Sequence, residues 1–201
     1  MATIVHLVRH GLVHNPEKIL YGRIPGYHLS ERGRNMAHAV AKDFADHDVT
    51  FLAASPLQRA QETAAPIAKA TNLPVETDER LLEAGNQLEG RHIKGIRSEL
   101  WNPKLWPLLK NPTVPSWGEP YTEIRDRMWQ AVHAARDKAR GHEAILVSHQ
   151  LPIVMIQRDV LGLSLAHNPA ARQCEVASVT SLVFDGAHLT DMYYSEPAQE
   201  I

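Results

Sequence analysis

The sequence predicts a three-layer α/β/α sandwich built around a mostly parallel central sheet. Strand-like apolar runs alternate with helix-like stretches along the chain, which is typical of α/β proteins. The run Ala144–Val147 is apolar at every position, as expected of a strand that is covered on both faces. The length of 201 residues suits one α/β domain, so we expect residues 1–201 to form a single domain.

The strands are predicted from short apolar or β-branched runs that turn residues interrupt. They are expected at 3–8, 49–54, 74–76, 144–147, 176–184 and 188–194. The dipeptide Asp185-Gly186 lies between the last two runs and is a strong turn signal. These two strands are therefore predicted to form a hairpin.

The helices are predicted from their first residues and from the spacing of their apolar positions. Ser30 is a candidate N-cap for the first helix, in which apolar residues recur every four positions. Ser55-Pro56 predicts the start of the second helix, with serine as the cap and proline at the first helical position. The helices after the first are expected at 57–70, 121–140 and 152–161.

Two segments are predicted to lie outside the regular elements. Five prolines predict a loop or lid over about residues 100–120, because proline breaks helices and sheets. Trp101, Trp106 and Trp117 lie in or beside this segment, where they could pin it to the body or form a wall over a substrate. Residues 195–201 are predicted to be a frayed tail.

The composition argues against several classes of protein. A net charge of −2, from 21 basic and 23 acidic residues, argues against nucleic-acid binding, which requires an excess of positive charge. There is no stretch of about 18 apolar residues, so no membrane span is expected. No signal peptide is recognised at the start of the sequence. Cys174 is the single cysteine and cannot form an internal disulfide, so we expect a reducing, cytoplasmic location.

Basic and hydrogen-bonding side chains follow three of the predicted strands. Arg9 and His10 come directly after the first strand, Arg59 comes shortly after the second, and Ser148 and His149 follow the fourth. Because ligands of open α/β sheets bind beyond the carboxyl ends of the strands, we expect these side chains to converge if the strands are parallel neighbours. Two guanidinium and two imidazole groups in one crevice predict a site for a multiply charged anion such as phosphate.

Five short motifs occur in order along the chain: LVRHG at 7–11, LSERG at 29–33, SPLQRAQETA at 55–64, LE at 82–83 with EG at 89–90, and VSH at 147–149. Together they resemble the sequence blocks of the histidine phosphatase superfamily, the phosphoglycerate-mutase-like proteins. The resemblance runs from about residue 3 to residue 185. It implies an α/β sandwich with a mostly parallel sheet.

The resemblance also implies roles for five residues. His10 would be the nucleophile that takes the phosphoryl group as phosphohistidine. Arg9, Arg59 and His149 would hold the phosphate. Glu83 would protonate the leaving group and then activate water in the second step. The resemblance implies that this chemistry needs no metal and no cofactor.

Physical chemistry supports these roles beside the resemblance. A phosphate monoester carries about two negative charges at neutral pH, so a neutral imidazole can attack it only where that charge is offset. Two arginines and a second histidine would offset it, and they would bind more strongly as charge builds on the transferring oxygens. The leaving alkoxide needs a proton, which Glu83 could supply in a partly dry site.

Other positions are expected to contact the substrate, and some depart from the family pattern. Asn15 is a candidate phosphate ligand, although it comes one residue earlier than in the family. Gln150 stands where the family has a small residue after its Ser-His pair, so its side chain could reach the pocket. Gly22 and Arg23, in the loop after the RHG motif, are the remaining candidate substrate-binding residues. These departures put the identity of the substrate in doubt more than the phosphoryl chemistry.

The leading functional prediction is a phosphatase that hydrolyses a small phosphomonoester through phosphorylated His10. A phosphoglycerate mutase is an alternative, but the chain is short and residues 83–87 read EAGNQ instead of the mutase-like ERxYG. A non-catalytic phospho-ligand-binding protein on the same fold is a second alternative. A serine hydrolase is disfavoured because neither Ser55 nor Ser148 lies in a G-x-S-x-G motif. The expected partner is a small phosphorylated substrate, and the chain is expected to be a monomer or a homodimer.

The chain has 12 histidines, which raises the question of a metal site. No HExxH motif occurs, and the histidines that are spaced by four, His6, His10 and His14, lie in or after a predicted strand and not on a predicted helix. One cysteine cannot build a thiolate site. No metal ligands are therefore predicted. His6, inside the first strand, is expected to be a hydrogen-bonded structural residue, and surface positions such as His47 are expected to be solvated.

Overall fold

The computed structural model of the chain describes residues 1–92, 99 and 118–201. The predicted lid at about 100–120 lies outside this part of the chain except for its last three residues. The three tryptophans assigned to it, Trp101, Trp106 and Trp117, also lie outside the described residues. The lid therefore stays a prediction.

The described residues contain six strands that form one sheet. The strands are β1 (Thr3–Arg9), β2 (Val49–Ala54), β3 (Glu76–Thr77), β4 (Glu143–Ser148), β5 (Val179–Asp185) and β6 (His188–Ser195). Their order across the sheet is β3-β2-β4-β1-β5-β6. The first four in this order pair in parallel, whereas β5 and β6 form the predicted antiparallel hairpin at one edge. The mostly parallel sheet is thereby confirmed.

Four α-helices of the described residues flank this sheet. They are α1 (Glu31–Asp43), α2 (Gln58–Thr71), α3 (Tyr121–Lys138) and α4 (Gln150–Val160). Ser30 caps α1 as predicted, because its side chain accepts a hydrogen bond from the backbone N–H of Gly33. No helix in the described ranges is long and apolar enough to span a membrane.

The prediction that Ser55 caps the second helix is wrong. Helix α2 begins at Gln58, and Leu57 occupies the N-cap position without a side-chain cap. Ser55 instead extends the pairing of β2 with β4, since its backbone N–H donates to the carbonyl of Val147 over 2.9 Å. This pairing holds Ser55 at the end of the strand, so Pro56 does not occupy the first helical position.

Helices cover both faces of the sheet and make the three layers. On one face, β-strand residues such as Val5 and Leu146 pack with Ile124 of α3 and other buried residues of α3 and α4. On the other face, Val8 and Val147 pack with buried residues of α1 and α2. Alternate residues of a strand point to opposite faces, so covering both faces explains why β4 is apolar almost throughout.

The segment 195–201 is not a frayed tail. Ser195 is the last residue of β6, and Ala198 is only 4% exposed, in the cluster that contains Val179. At the end of the chain, the carbonyl of Ile201 accepts a hydrogen bond from Nε of Arg32 over 2.8 Å. Burial of the small apolar side chain of Ala198 and this hydrogen bond hold the segment against α1.

Candidate active site

The carboxyl ends of β1, β2 and β4 lie side by side in the sheet. Arg9 is the register partner of Ser148, and Ala54 is the partner of Val147. Just beyond β1, the backbone N–H of His10 donates to the carbonyl of Ser148 over 3.1 Å. The parallel pairing therefore brings together the three strand ends that carry the basic residues.

His10 is buried and has one ring nitrogen fixed by the backbone. Its Nδ1 lies 2.8 Å from the carbonyl oxygen of Gly11, which can only accept, so Nδ1 carries the proton in this hydrogen bond. The Nε2 lone pair is then available to attack. Burial, followed by the positive charges of Arg59 and Arg9, holds the pKa of His10 well below its usual value of 6.5. The imidazole is therefore neutral at pH 7, as a nucleophile must be.

The loop after His10 is fixed by close contact with α1 and α2. A Cβ atom on Gly11 would lie 2.5 Å from the backbone oxygen of Gly33, so a side chain at Gly11 would force the backbone apart. The N–H of Gly11 donates to Oγ1 of Thr63 over 3.0 Å, and the same hydroxyl donates to the carbonyl of Arg59 over 2.7 Å. Gly11, Gly33 and Thr63, which belong to the LVRHG, LSERG and SPLQRAQETA motifs, thereby hold His10 in place.

Arg59 is only 1% exposed and lies against His10. Its Nε donates to Nε2 of His10 over 3.3 Å, and Nη2 donates to the carbonyl of Gly22 over 2.7 Å. The guanidinium carbon lies 4.9 Å from the centre of the Tyr21 ring. Among the described residues its hydrogen-bond acceptors are all uncharged, so its positive charge is available to a bound anion. Burial lowers the pKa of Arg59, and the nearby Tyr21, Glu83 and Glu89 oppose that effect.

His149 is fully buried beside His10, with 5.1 Å between the two ring centres. Its Nε2 lies 2.8 Å from Oγ of Ser55. Its Nδ1 has no hydrogen-bond partner among the described residues. Burial holds the pKa of His149 well below 6.5, and the charges of the nearby arginines act in the same direction. A neutral ring with one unpartnered nitrogen can hydrogen-bond to a ligand.

Arg9 also retains unused hydrogen-bonding capacity. Its Nη1 donates to the carbonyl of Cys174 over 2.5 Å. Its Nε is buried and, within the described part of the chain, makes no hydrogen bond. An unsatisfied buried polar atom costs about 1–3 kcal/mol, which a bound phosphate oxygen would recover. Burial of the Cys174 thiol raises its pKa to about 11, so this cysteine is a neutral neighbour.

Glu83 lies on a segment that returns towards the same arginines. Its Oε1 accepts the backbone N–H of Ala84 over 2.8 Å, and its carbonyl accepts Nε of Arg23 over 2.6 Å. The Glu83 carboxylate is close enough to Arg59 and Arg172 to oppose the lowering of their pKa by burial. The structure thus places the Glu83 carboxylate near Arg59, the arginine that contacts His10.

Gly22 and Arg23 take part in fixing the site. Gly22 has a φ of +39° and offers its carbonyl to Arg59. Arg23 donates from Nη2 to Oε2 of Glu119 over 2.8 Å, in addition to its bond to the Glu83 carbonyl. Arg23 therefore braces the Glu83 segment, and in this arrangement its guanidinium is already paired with a carboxylate.

Asn15 and Gln150 differ in where the structure places them. Both ends of the Asn15 amide bind the backbone of Ile19, with Nδ2 donating over 2.9 Å and Oδ1 accepting over 3.3 Å. Asn15 therefore closes its own loop, with both ends of its amide engaged there. Gln150 donates from Nε2 to the Cys174 carbonyl over 3.3 Å, the same oxygen that accepts from Arg9. Gln150 thus lies beside the phosphate-binding candidates.

Sequence reasoning missed several residues of this site. Tyr21 packs against Arg59, and burial raises the pKa of its hydroxyl. Arg172 donates from Nε to Nε2 of His167 over 2.8 Å and from Nη1 to Oε1 of Gln150 over 3.5 Å. Neither residue belongs to a motif. The position of Tyr21 directly before the candidate residue Gly22 was the available signal, whereas Arg172 offered none.

Comparisons with known proteins find relatives that cover most of the chain. An uncharacterized protein of Mycobacterium tuberculosis, Rv0525, is 53% identical over 197 residues, which cover 98% of this chain and 97% of that protein. A protein of Yersinia pestis named probable phosphoglycerate mutase GpmB is 32% identical over 163 residues, covering 79% of this chain and 75% of that protein. The solved structure of Bacillus stearothermophilus YhfR superposes with a TM-score of 0.80 at 24% identity, with 94% of each chain covered.

One protein family matches nearly the whole length of the chain. Residues 5–193 match the histidine phosphatase superfamily (branch 1). This range includes all five motifs that resemble that family and the three strand ends that carry them. The likeness to YhfR shows a shared fold over 94% of each chain. The chain therefore belongs to the histidine phosphatase superfamily, branch 1.

Proposed function

We propose that this protein is a phosphatase that hydrolyses a small phosphomonoester through a phosphohistidine intermediate on His10. The observation that carries the proposal is the state of the His10 ring. Its Nδ1 proton is held by the Gly11 carbonyl at 2.8 Å, and its pKa lies well below 6.5 because of burial and two arginines. A neutral imidazole with its free nitrogen next to cations is suited to attack a dianionic phosphoryl group.

Arg9, Arg59 and His149 bind the phosphoryl group in this proposal. Nε of Arg9 and Nδ1 of His149 are buried without partners in the described ranges, which supports a ligand oxygen between these groups. Arg59 already faces the attacking nitrogen, so it can contact the transferring oxygens as charge builds on them. These interactions strengthen in the transition state and therefore accelerate the reaction.

In the first step, Nε2 of His10 attacks phosphorus and the bond from phosphorus to the leaving oxygen breaks. The Glu83 carboxyl gives its proton to that oxygen, so the product leaves as an alcohol. In the second step, water attacks the phosphohistidine and the N–P bond breaks. Glu83 takes the proton from that water, inorganic phosphate leaves, and His10 is again neutral. The two displacements replace one more difficult displacement.

A phosphoglycerate mutase is the second candidate function, because the Yersinia relative carries that name. Both activities share the phosphohistidine step and differ in whether water or a second substrate molecule receives the phosphoryl group. A protein that binds phosphorylated ligands without turnover is the third candidate. The five residues assigned to catalysis are all present, which favours an enzyme.

Incubation with p-nitrophenyl phosphate and with 3-phosphoglycerate separates these candidates. A phosphatase releases nitrophenol and does not isomerise 3-phosphoglycerate. Isomerisation would favour the mutase, and phosphate binding without turnover of either compound would favour the binding protein. The intermediate is tested by mass spectrometry for acid-labile phosphate on His10, and His10→Ala is expected to abolish turnover. A fully active His10→Ala protein would contradict the mechanism.

The proposal extends to the organisation and location of the protein. One sheet carries the three strand ends that meet at His10, which supports treating residues 1–201 as a single domain. A cytoplasmic location rests on the composition, since the buried thiol of Cys174 is the only one in the chain.

A further inference from the structure

Three side chains that the proposed reaction does not use meet at the opposite end of β4 from His149. Nε2 of His6 lies 2.9 Å from Oε2 of Glu143, and Nδ1 of His47 lies 2.7 Å from the same oxygen. The three ligand atoms all lie within 4.8 Å of one another. Two imidazoles and one carboxylate form a ligand set that proteins use for zinc.

The three residues come from separate parts of the fold. His6 is the central residue of β1, His47 follows the short 3₁₀ turn after α1, and Glu143 is the first residue of β4. His6 precedes Arg9 by three residues, which is about 10 Å along a strand. The cluster is therefore separate from the phosphoryl site, and a metal bound there would join three distant segments of the chain.

The environment of each residue suits a metal that enters from solvent. The His6 side chain is only 2% exposed, that of Glu143 is 18% exposed and that of His47 is 38% exposed. His6 is held in one orientation by Ser181, whose Oγ lies 2.8 Å from Nδ1, and by edge-on packing against Phe44. A rigid inner ligand with a more accessible outer ligand provides both a fixed geometry and an entry path.

The protons of this cluster can rearrange to accept a cation. In the structure described, the ionised Glu143 carboxylate accepts hydrogen bonds from both imidazoles, so the protons lie on Nε2 of His6 and Nδ1 of His47. For metal binding the proton of His6 moves to Nδ1, where the Ser181 hydroxyl can accept it as readily as donate. The proton of His47 moves to Nε2. Each imidazole then presents a lone pair to the metal.

Two of the three ligand distances need only a modest change, and the third, between Nε2 of His6 and Nδ1 of His47, is at most 4.8 Å and has to approach the spacing of two zinc ligands. Two ligands of a tetrahedral zinc ion lie about 3.3 Å apart, given metal–ligand bonds of about 2.0–2.1 Å. The observed separations of 2.9 and 2.7 Å therefore have to open by about half an ångström. The partly exposed His47 lies outside the regular strands and can make this adjustment.

We propose that Nε2 of His6, Nδ1 of His47 and Oε2 of Glu143 bind one zinc ion, with water as the fourth ligand. The site links β1, β4 and the segment after α1 and so stabilises the fold. The proposal does not depend on the phosphatase activity. Sequence spacing could not predict it, because the three ligands are contributed by stretches far apart in the chain.

Isothermal titration of Zn²⁺ into the metal-stripped full chain tests the proposal. The visible absorption of bound Co²⁺ provides a second readout, because it reports a tetrahedral site with nitrogen and oxygen ligands. The test variants are His47→Ala and Glu143→Gln, which leave the buried His6 in place. The matched control is His142→Ala, which removes an exposed histidine next to Glu143 that pairs with Asp48 at 2.7 Å.

We expect one Zn²⁺ per wild-type chain and affinity at least tenfold lower in both test variants. The control variant should bind within about twofold of wild type. Saturating Zn²⁺ should raise the Tm of the wild type by about 5 °C and leave that of the test variants unchanged. Absence of saturable binding would overturn the proposal. So would unchanged binding in both test variants, or an equal loss in His142→Ala.

Discussion

Nε of Arg59 lies 3.3 Å from Nε2 of His10, so the guanidinium meets the imidazole at its unprotonated nitrogen. The same arginine is held by the carbonyl of Gly22 and packs over the ring of Tyr21. Burial, together with the positive charge next to the attacking atom, lowers the pKa of His10 and keeps the imidazole neutral before the reaction. The positive charge also offsets the negative charge of an incoming phosphoryl group.

Arg59→Ala is expected to lower kcat/KM for p-nitrophenyl phosphate by about 100-fold or more, because it removes a preorganised donor from the transferring oxygens. Arg59→Lys should recover only part of this loss, since an ammonium keeps the charge but lacks the planar fork of donors. Steady-state kinetics provide the measurement. Arg32→Ala, which changes an exposed arginine on α1, is the control and should retain wild-type activity. Equal activity of Arg59→Ala and the control would contradict the role of Arg59 as a donor to the phosphoryl oxygens.

Ser55→Ala is expected to lower kcat/KM by about tenfold, the equivalent of losing one hydrogen bond to a buried ring. The hydroxyl of Ser55 lies 2.8 Å from Nε2 of His149, and no other described residue holds that nitrogen. Ser30→Ala is the matched control because Ser30 caps α1. It should lower the free energy of unfolding by about 1 kcal/mol with little change in activity. If the stability of Ser55→Ala falls in proportion to its activity, the hypothesis that Ser55 acts by holding the His149 ring fails.

Glu83→Gln is expected to reduce kcat/KM for alkyl phosphates by about 100-fold or more and for p-nitrophenyl phosphate by much less. Nitrophenolate leaves without a proton, whereas an alkoxide requires one. The glutamine oxygen can still accept the N–H of Ala84, so the local geometry is retained. The parameter kcat/KM is measured because it excludes the later hydrolysis of the phosphoenzyme. Equal slowing of both classes of ester would argue against Glu83 as the acid.

The two buried histidines of the site should make stability dependent on pH. In the folded protein His10 and His149 have a pKa well below 6.5, so they stay neutral where the unfolded chain takes up protons. The free energy of unfolding should therefore fall as the pH drops below 6.5, by up to about 1.4 kcal/mol per pH unit for each histidine. Denaturant unfolding between pH 7 and pH 5 measures this slope.

A pair of variants tests whether this dependence of the unfolding free energy on pH comes from the buried histidines of the site. His10→Gln removes one titrating group. The unfolded chain should then take up about one proton fewer relative to the folded protein, which lowers the slope of unfolding free energy against pH. His188→Gln changes an exposed histidine at the start of β6 and should leave the slope as in the wild type. An unchanged slope in His10→Gln would show that His10 already titrates normally in the folded protein.

Much of the fold was predictable because its signals are local. Apolar runs predicted the main strands, and the Asp185-Gly186 turn predicted the β5–β6 hairpin. The cap at Ser30 was correctly predicted because an N-cap depends on a few neighbouring residues. The predicted cap at Ser55 was wrong, since strand pairing with Val147 competed with capping and prevailed. The packed 195–201 segment was missed because the cluster that buries Ala198 is formed by distant elements.

The sequence by itself determined which strand ends carry His10, Arg59 and His149, and it determined the family. Parallel strands align their carboxyl ends, so motifs that follow such strands meet without further information. Only the tertiary structure decided that Tyr21 packs over Arg59, that Arg172 bonds to Gln150, and that His6, His47 and Glu143 meet elsewhere. These contacts join segments far apart in the chain, and they depend on side-chain packing, which leaves no periodic or local pattern in the sequence.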